Sequence, residues 1–191
     1  SEFKAIAEKK ETEIQVPVAG THFVYNALCA MEVGRVLGIA TNQIQDGIVK
    51  FELTKKRMDI RKLENGAIII NDAYNASYES MRASIEFLAN HTGTRKIAVL
   101  GDMFELGEYS EELHRNVGKE VASHDIDVLI CAGENSKYII EEAQKNKKIE
   151  TFYFHNNEEI VEKLTQELRN GDVVLVKASN GMKFFEICQK V

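Results

Sequence analysis

From about residue 57 onward the chain alternates between short apolar runs and amphipathic stretches, and no other feature restricts its fold as much. "GAIIIND" (66–72), "RKIAVLGD" (95–102), "DVLICAG" (127–133), "ETFYFH" (150–155) and "DVVLVKA" (172–178) read as strands. Residues 77–90, 110–123, 134–146 and 157–169 carry helical apolar spacing, and a last helix is expected over 181–189. Positions 97–100 and 173–176 are apolar without alternation, as in strands covered by helices on both faces. This order predicts an α/β fold: a Rossmann-like, doubly wound, mostly parallel sheet. "MDIRKL" (58–63) precedes Glu64-Asn65-Gly66, a hairpin turn, so one antiparallel edge strand is expected.

The first part of the chain reads differently. "ETEIQVPV" (11–18) is strand-like, and residues 22–38 place apolar side chains at 24, 28, 31, 33, 36 and 37. Thr21 is expected to cap that helix and Gly38 to end it, and Thr41 to cap a shorter helix over 41–51. Two helices and one strand make a poor core by themselves. The segment is therefore expected to be the helical end of a larger domain.

Thirty acidic residues against twenty-four basic ones leave a net charge of -6. Such a surface does not suit nucleic-acid phosphates or anionic lipid, so neither partner is expected. The longest apolar runs are far too short to span a bilayer, and no charged-then-apolar leader opens the chain. Cys29, Cys131 and Cys188 are far apart in apolar segments, which predicts buried thiols in a reducing cytoplasm. The five histidines lack metal-ligand spacing, and no metal site is expected from these residues.

In a doubly wound sheet, ligand groups gather where strands end. Asn71-Asp72, Gly101-Asp102, Ala132-Gly133 and Lys177-Ala178-Ser179 stand at those positions. Neither "GDMFELG" nor "AGENSKY" matches the dinucleotide fingerprint, which argues against a nicotinamide cofactor. No G-x-x-x-x-G-K-[ST] loop and no G-x-S-x-G elbow occur. His114, on the helix after strand 95–102, is expected to be structural, bonding loop backbone on one nitrogen and Glu105 or Glu108 on the other.

Five segments, in order, resemble the Mur ligases: "GTHFVYNALCAMEVGRVLG", "KRMDI", "NGAIIINDAYNASYESM", "KIAVLGDMFELGEYSEELHRNVG" and "VVLVKASNGMKFFE". The pattern is most similar to the member that joins D-alanyl-D-alanine to UDP-N-acetylmuramoyl-tripeptide. The resemblance implies a remnant of the central ATP-binding domain over residues 1–55 and the family's C-terminal domain over 56–191. It implies ATP and Mg2+ as cofactors, with the phosphate-binding loop and metal ligands upstream. A cytoplasmic monomer in peptidoglycan precursor synthesis is implied, working through an acyl phosphate, with this chain alone inactive.

Residue by residue, the resemblance gives Arg57 to the ATP phosphates and Asp72 to the nucleotide, both as catalytic groups. The carboxylate of Asp72 suits a ribose hydroxyl or a lysine partner. Tyr74 and Asn75 would add stacking and amide contacts, and His22 and Asn26 would lie at the adenine. Lys177 and Ser179 would hold the incoming dipeptide or the nascent bond. The bland alternative for Arg57 is a surface ion pair. Phe23, Ser77-Tyr78 and Asn180 depart from the family's commoner residues, and Ser77 is still expected to cap its helix. Other readings are a related amide ligase such as a folylpolyglutamate synthase, or a non-catalytic Rossmann-like binding module.

Overall fold

The computed structural model describes residues 1–7, 10–18, 20–52 and 57–191, apart from the side chains of Ala7, Lys10 and His22. The chain divides into two compact units, Ser1–Thr54 and Lys55–Val191.

In the first unit, strands β1 (Glu2–Ala7) and β2 (Lys10–Gln15) form an antiparallel pair, followed by helices α1 (Thr21–Val36) and α2 (Thr41–Val49). Strand β1 has no strong alternation in the sequence and was not anticipated. Phe23 and Ala27 lie one helical turn apart and pack with Ala5, Ile14, Val16 and Ile48, while Met31 continues the stripe. Of the expected positions 24, 28, 31, 33, 36 and 37, Met31 packs on this core, whereas Leu28, Val33, Val36 and Leu37 are exposed. Cys29, two residues from Ala27, points away from this core and is exposed, contrary to expectation. Neither helix start is capped as predicted. Thr21 and Thr41 are the first helical residues, and the preceding Gly20 and Ala40 give no side-chain cap bond. Gly38 does end α1, at φ 74, with the Ile39 N–H returning to the Gly34 carbonyl.

The second unit contains β3 (Asp59–Lys62), β4 (Ile68–Asn71), α3 (Tyr78–Asn90), β5 (Arg95–Gly101) and α4 (Ser110–Ser123). Strand β6 (Val128–Ala132), α5 (Lys137–Asn146), β7 (Glu150–Phe154), α6 (Asn157–Glu167), β8 (Asp172–Lys177) and α7 (Phe185–Lys190) complete it. The strands form one sheet in the order β3-β4-β8-β5-β6-β7, parallel except for β3, which pairs antiparallel with β4 at the edge. The expected doubly wound sheet with one antiparallel edge is present. The last helix is shorter than predicted, because a single 3-10 turn (Asn180–Met182) and Lys183 at φ 54 precede it.

Successive strand residues face opposite ways, and both faces are covered. Leu100, Leu129 and Leu175 meet α3, α4 and α5 through Leu88, Val117 and Ile139. Val99, Ile130 and Val176 meet α6 and α7 through Ile160 and Ile187. Cys131 and Cys188 are buried in these layers, as expected, and burial drives the Cys188 thiol up to about 12. No helix among the described residues is long and apolar enough to cross a membrane.

Candidate functional site

Strand β8 lies between β4 and β5, but the chain leaves these three strands toward different faces. β4 and β5 lead into α3 and α4 on one face, whereas β8 leads into α7 on the other. Loops that part in this way open crevices beside the end of β8, which is where α/β sheets bind ligands. Polar side chains stand on both sides of it.

On the β4 side, the Asp72 backbone N–H continues the ladder by donating to the Val176 carbonyl at 3.0 Å. Its carboxylate Oδ2 accepts from Lys177 Nζ at 2.6 Å and lies 2.7 Å from the Ser84 hydroxyl of α3. Its Oδ1 accepts the Met58 backbone N–H at 3.1 Å. Lys177, 2% exposed, also donates to the Asn75 carbonyl at 3.1 Å and, at 3.4 Å, to the Asp72 carbonyl. Burial pushes the Lys177 ammonium below its ordinary range, Asp72 pulls it back, and nearby Arg57 adds a smaller push down. Of the two partners foreseen for Asp72, the structure supplies the lysine.

Arg57 and Tyr74 sit at the mouth of this network. The guanidinium carbon lies 4.2 Å from the Tyr74 ring centroid, a cation–π stack. Among the described residues, no carboxylate or other acceptor engages that guanidinium. The ion-pair alternative for Arg57 therefore has no support among them. Met58 holds φ 46, a left-handed conformation that costs a non-glycine residue about 1–3 kcal/mol and needs surrounding contacts to persist. The side chain of Asn75 is exposed beside them. Ser77 caps α3 as expected, in a reciprocal pair with Ser80.

On the β5 side, Ser179 and Asp102 tie three loops together. Ser179 Oγ accepts the Phe104 N–H at 2.8 Å, and the Ser179 N–H donates to the Asp102 carbonyl at 3.0 Å. The buried Asp102 carboxylate accepts from the Ser136 N–H at 2.7 Å and the Asn135 N–H at 3.1 Å, just ahead of α5. An incoming phosphate would find these amides already taken by a carboxylate of the chain itself, which explains physically why the fingerprint is absent here. Gly133, at φ 122, must be glycine: a Cβ would fall 2.4 Å from Asp102 Oδ1.

Arg57, Asp72, Tyr74, Asn75 and Lys177 come together, with Ser179 on the other side of the β8 end. Asn26 is exposed on α1 of the first unit, and the side chain of His22 lies outside the described residues. Phe23 is a core residue that packs with Phe51, their ring centroids 6.1 Å apart. Ser84 escaped the sequence reading. Its signal was a hydroxyl on the buried stripe of α3, between Met81, Ile85 and Leu88. Among the described residues no group of three or more His, Cys, Asp or Glu could hold a metal ion. An open hollow of about 440 Å³ lined by residues 144–149 lies at the end of the sheet where β7 begins, away from this cluster.

Residues 56–180 match the family described as Mur ligase, glutamate ligase domain. The UDP-N-acetylmuramoyl-tripeptide–D-alanyl-D-alanine ligase of Bacillus subtilis is 35% identical, covering 93% of this chain and 39% of the relative. The corresponding ligase of Synechocystis is 34% identical, over 88% and 37%. Among solved structures, MurF of Acinetobacter baumannii superposes with a TM-score of 0.83 at 24% identity, covering 98% of this chain and 41% of that one. MurF of Thermotoga maritima, solved in complex with ADP, gives 0.77 at 26% identity, over 99% and 42%. The chain thus spans about two fifths of the length of these relatives.

Proposed function

Because the chain belongs to the Mur ligase family, we propose that it is the C-terminal part of an ATP-dependent ligase joining D-alanyl-D-alanine to UDP-N-acetylmuramoyl-tripeptide. Residues 1–55 are then the end of the central ATP-binding domain and 56–191 the C-terminal domain. Relatives named for that substrate pair support this specificity over that of a folylpolyglutamate synthase.

The observation that carries the reading is Arg57, whose guanidinium is stacked on Tyr74 and unclaimed among the described residues. A flat cation held by its face keeps its N–H edge free for two phosphate oxygens. The reaction needs such a group. The tripeptide carboxylate attacks the γ-phosphorus of ATP, an acyl phosphate forms, and ADP leaves. The dipeptide amine then attacks the acyl carbon and gives up a proton, and the tetrahedral intermediate collapses with loss of phosphate. Phosphoryl transfer relies mainly on positioning and charge neutralisation, which Arg57 supplies.

In this reading Asp72, Tyr74 and Asn75 form the nucleotide-facing lip, and His22 and Asn26 are assigned to the adenine. Ser179 shapes the dipeptide side by fixing Phe104. Mg2+ would screen the phosphate charges, and the described residues offer no cluster of three or more His, Cys, Asp or Glu to hold it.

The test is Arg57→Ala in the full-length enzyme. A charge acting on the transferring phosphoryl group predicts a fall in kcat of about 10²–10³, with dipeptide KM nearly unchanged. An unchanged kcat overturns the assignment. The 191-residue chain, which has no P-loop in its sequence, should release no phosphate from ATP with both substrates present; release above background would equally overturn it.

A further inference from the structure

We propose that Lys177 is a positioning residue for Arg57: it holds the 72–75 turn in the conformation that grips Arg57 at both its backbone and its side chain. The inference rests on the reading of Arg57 as the phosphate-facing cation.

The turn has two holds on Arg57. Asp72 Oδ1 accepts the Met58 N–H, and that amide shares its peptide plane with the Arg57 carbonyl. The bond therefore sets the backbone orientation of Arg57, next to a Met58 that is in a left-handed conformation. Two residues after Asp72, the Tyr74 ring lies under the guanidinium. Neither hold survives if the turn moves.

Lys177 fixes the turn on both sides of Tyr74. It bonds the Asp72 carboxylate before the ring and the Asn75 carbonyl after it. A third acceptor, the Asp72 carbonyl at 3.4 Å, takes the remaining N–H direction. With all three donors directed at protein oxygens and 2% of its surface exposed, Lys177 has no donor left for an incoming dipeptide. Its charge has a second use. Asp72 lies in a largely dry site, where an unpaired carboxylate would turn out toward water and release Met58. The Ser84 hydroxyl, 2.7 Å from Asp72 Oδ2 and 2.8 Å from the Ser80 carbonyl, has one proton for two acceptors and cannot replace a cation.

The experiment compares the chain with Lys177→Met and with the double variant Lys177→Met/Asp72→Asn. The readout is amide hydrogen exchange at Met58, followed residue by residue by NMR. Lys177→Met leaves the carboxylate unpaired, so Met58 exchange should quicken by about tenfold or more relative to the core amides of β5. The double variant buries no unpaired charge, and an asparagine Oδ1 can still accept from Met58, so it isolates the tie that Lys177 makes to the Asn75 carbonyl. Without that tie the turn is loose, and Met58 should still exchange about tenfold faster than in the parent. If Lys177→Met does not fold, the double variant decides: Met58 protection within about threefold of the parent in a folded double variant overturns the proposal.

In the full-length enzyme, Lys177→Met should lower kcat while dipeptide KM stays within about twofold. A rise of about tenfold in dipeptide KM with Met58 exchange unmoved would make Lys177 a substrate ligand and overturn the positioning role. The exchange measurement needs no activity. It therefore stands or falls separately from the proposed phosphate role of Arg57, which Arg57→Ala tests.

Discussion

Met103 donates its backbone N–H to Nε2 of His114 across 3.0 Å, inside a site where the imidazole is fully buried. The accepting nitrogen must be unprotonated, so the proton resides on Nδ1, which donates to the Ser110 carbonyl at 2.6 Å. The expected loop-backbone contact is present. The expected carboxylate is not: Glu105 and Glu108 leave Nδ1 to the carbonyl one turn back on α4, which a buried ring reaches without desolvating an acid.

His114 accordingly titrates low. Burial is the main cause, partly offset by the Ser110 carbonyl and by Asp102. A histidine whose native pKa lies below its unfolded value of about 6.5 takes up protons more readily when unfolded. Its contribution to stability is complete above that pH and is lost as pH falls through the lowered native pKa. His114→Gln, with an amide oxygen for Met103, should cost about 1–2 kcal/mol at neutral pH and flatten the acid-side loss. Urea midpoints from pH 7 downward check this. Parallel curves for parent and variant would remove His114 from the acid sensitivity.

Asp102→Asn keeps an acceptor at Oδ1 for the Ser136 and Asn135 N–H groups but turns an NH2 toward the Asn135 N–H, which Oδ2 of the carboxylate faces at 3.2 Å. The loss should be about 1.5–3 kcal/mol, read as a lower urea midpoint at unchanged slope. A loss under about half a kcal/mol would mean that water substitutes for the carboxylate.

Two glycine-to-alanine substitutions should have opposite signs. A Cβ at Gly118 on α4 would meet the Ile139 carbonyl at 2.5 Å, and backbone cannot swing aside, so α4 and α5 must separate. Overpacking of about 1–3 kcal/mol outweighs the helix-propensity gain of about 1 kcal/mol. At Gly47 on α2 a Cβ has nothing within 4 Å, and Gly47→Ala should stabilise by roughly 0.5–1 kcal/mol. Thermal melts of the two variants decide it.

Tyr74 gives its ring face to Arg57. In the full-length enzyme, Tyr74→Leu should cost about two- to fivefold in kcat/KM for ATP, the worth of an exposed cation–π contact, and Tyr74→Phe less than that. Equal losses would shift the role from the ring to the hydroxyl.

Periodicity alone determined the second unit: buried strands between amphipathic helices, with Glu64-Asn65-Gly66 turning β3 into β4. Those signals are local, set by what each segment must turn toward a core. Ser77 as the cap of α3 was legible for the same reason. The first unit was less legible because α1 has apolar residues on more than one face, and only its neighbours, β2 and α2, select the stripe of Phe23 and Ala27.

The site divides along the same line. The polar strand ends at Asp72 and Lys177 were visible as residues, and the family resemblance assigned Arg57. That Lys177 spends its charge on Asp72 was not visible. The two residues are 105 positions apart and become neighbours only because β8 inserts beside β4. Nor could the sequence show that a backbone amide, at Met58, is the group Asp72 Oδ1 accepts from. Strand order and backbone direction are products of the whole sheet, since each strand's place depends on which surfaces the others leave to be covered. The sequence determined which groups stand at the strand ends, and the tertiary structure decided which of them are already paired and which, like Arg57, are left to bind.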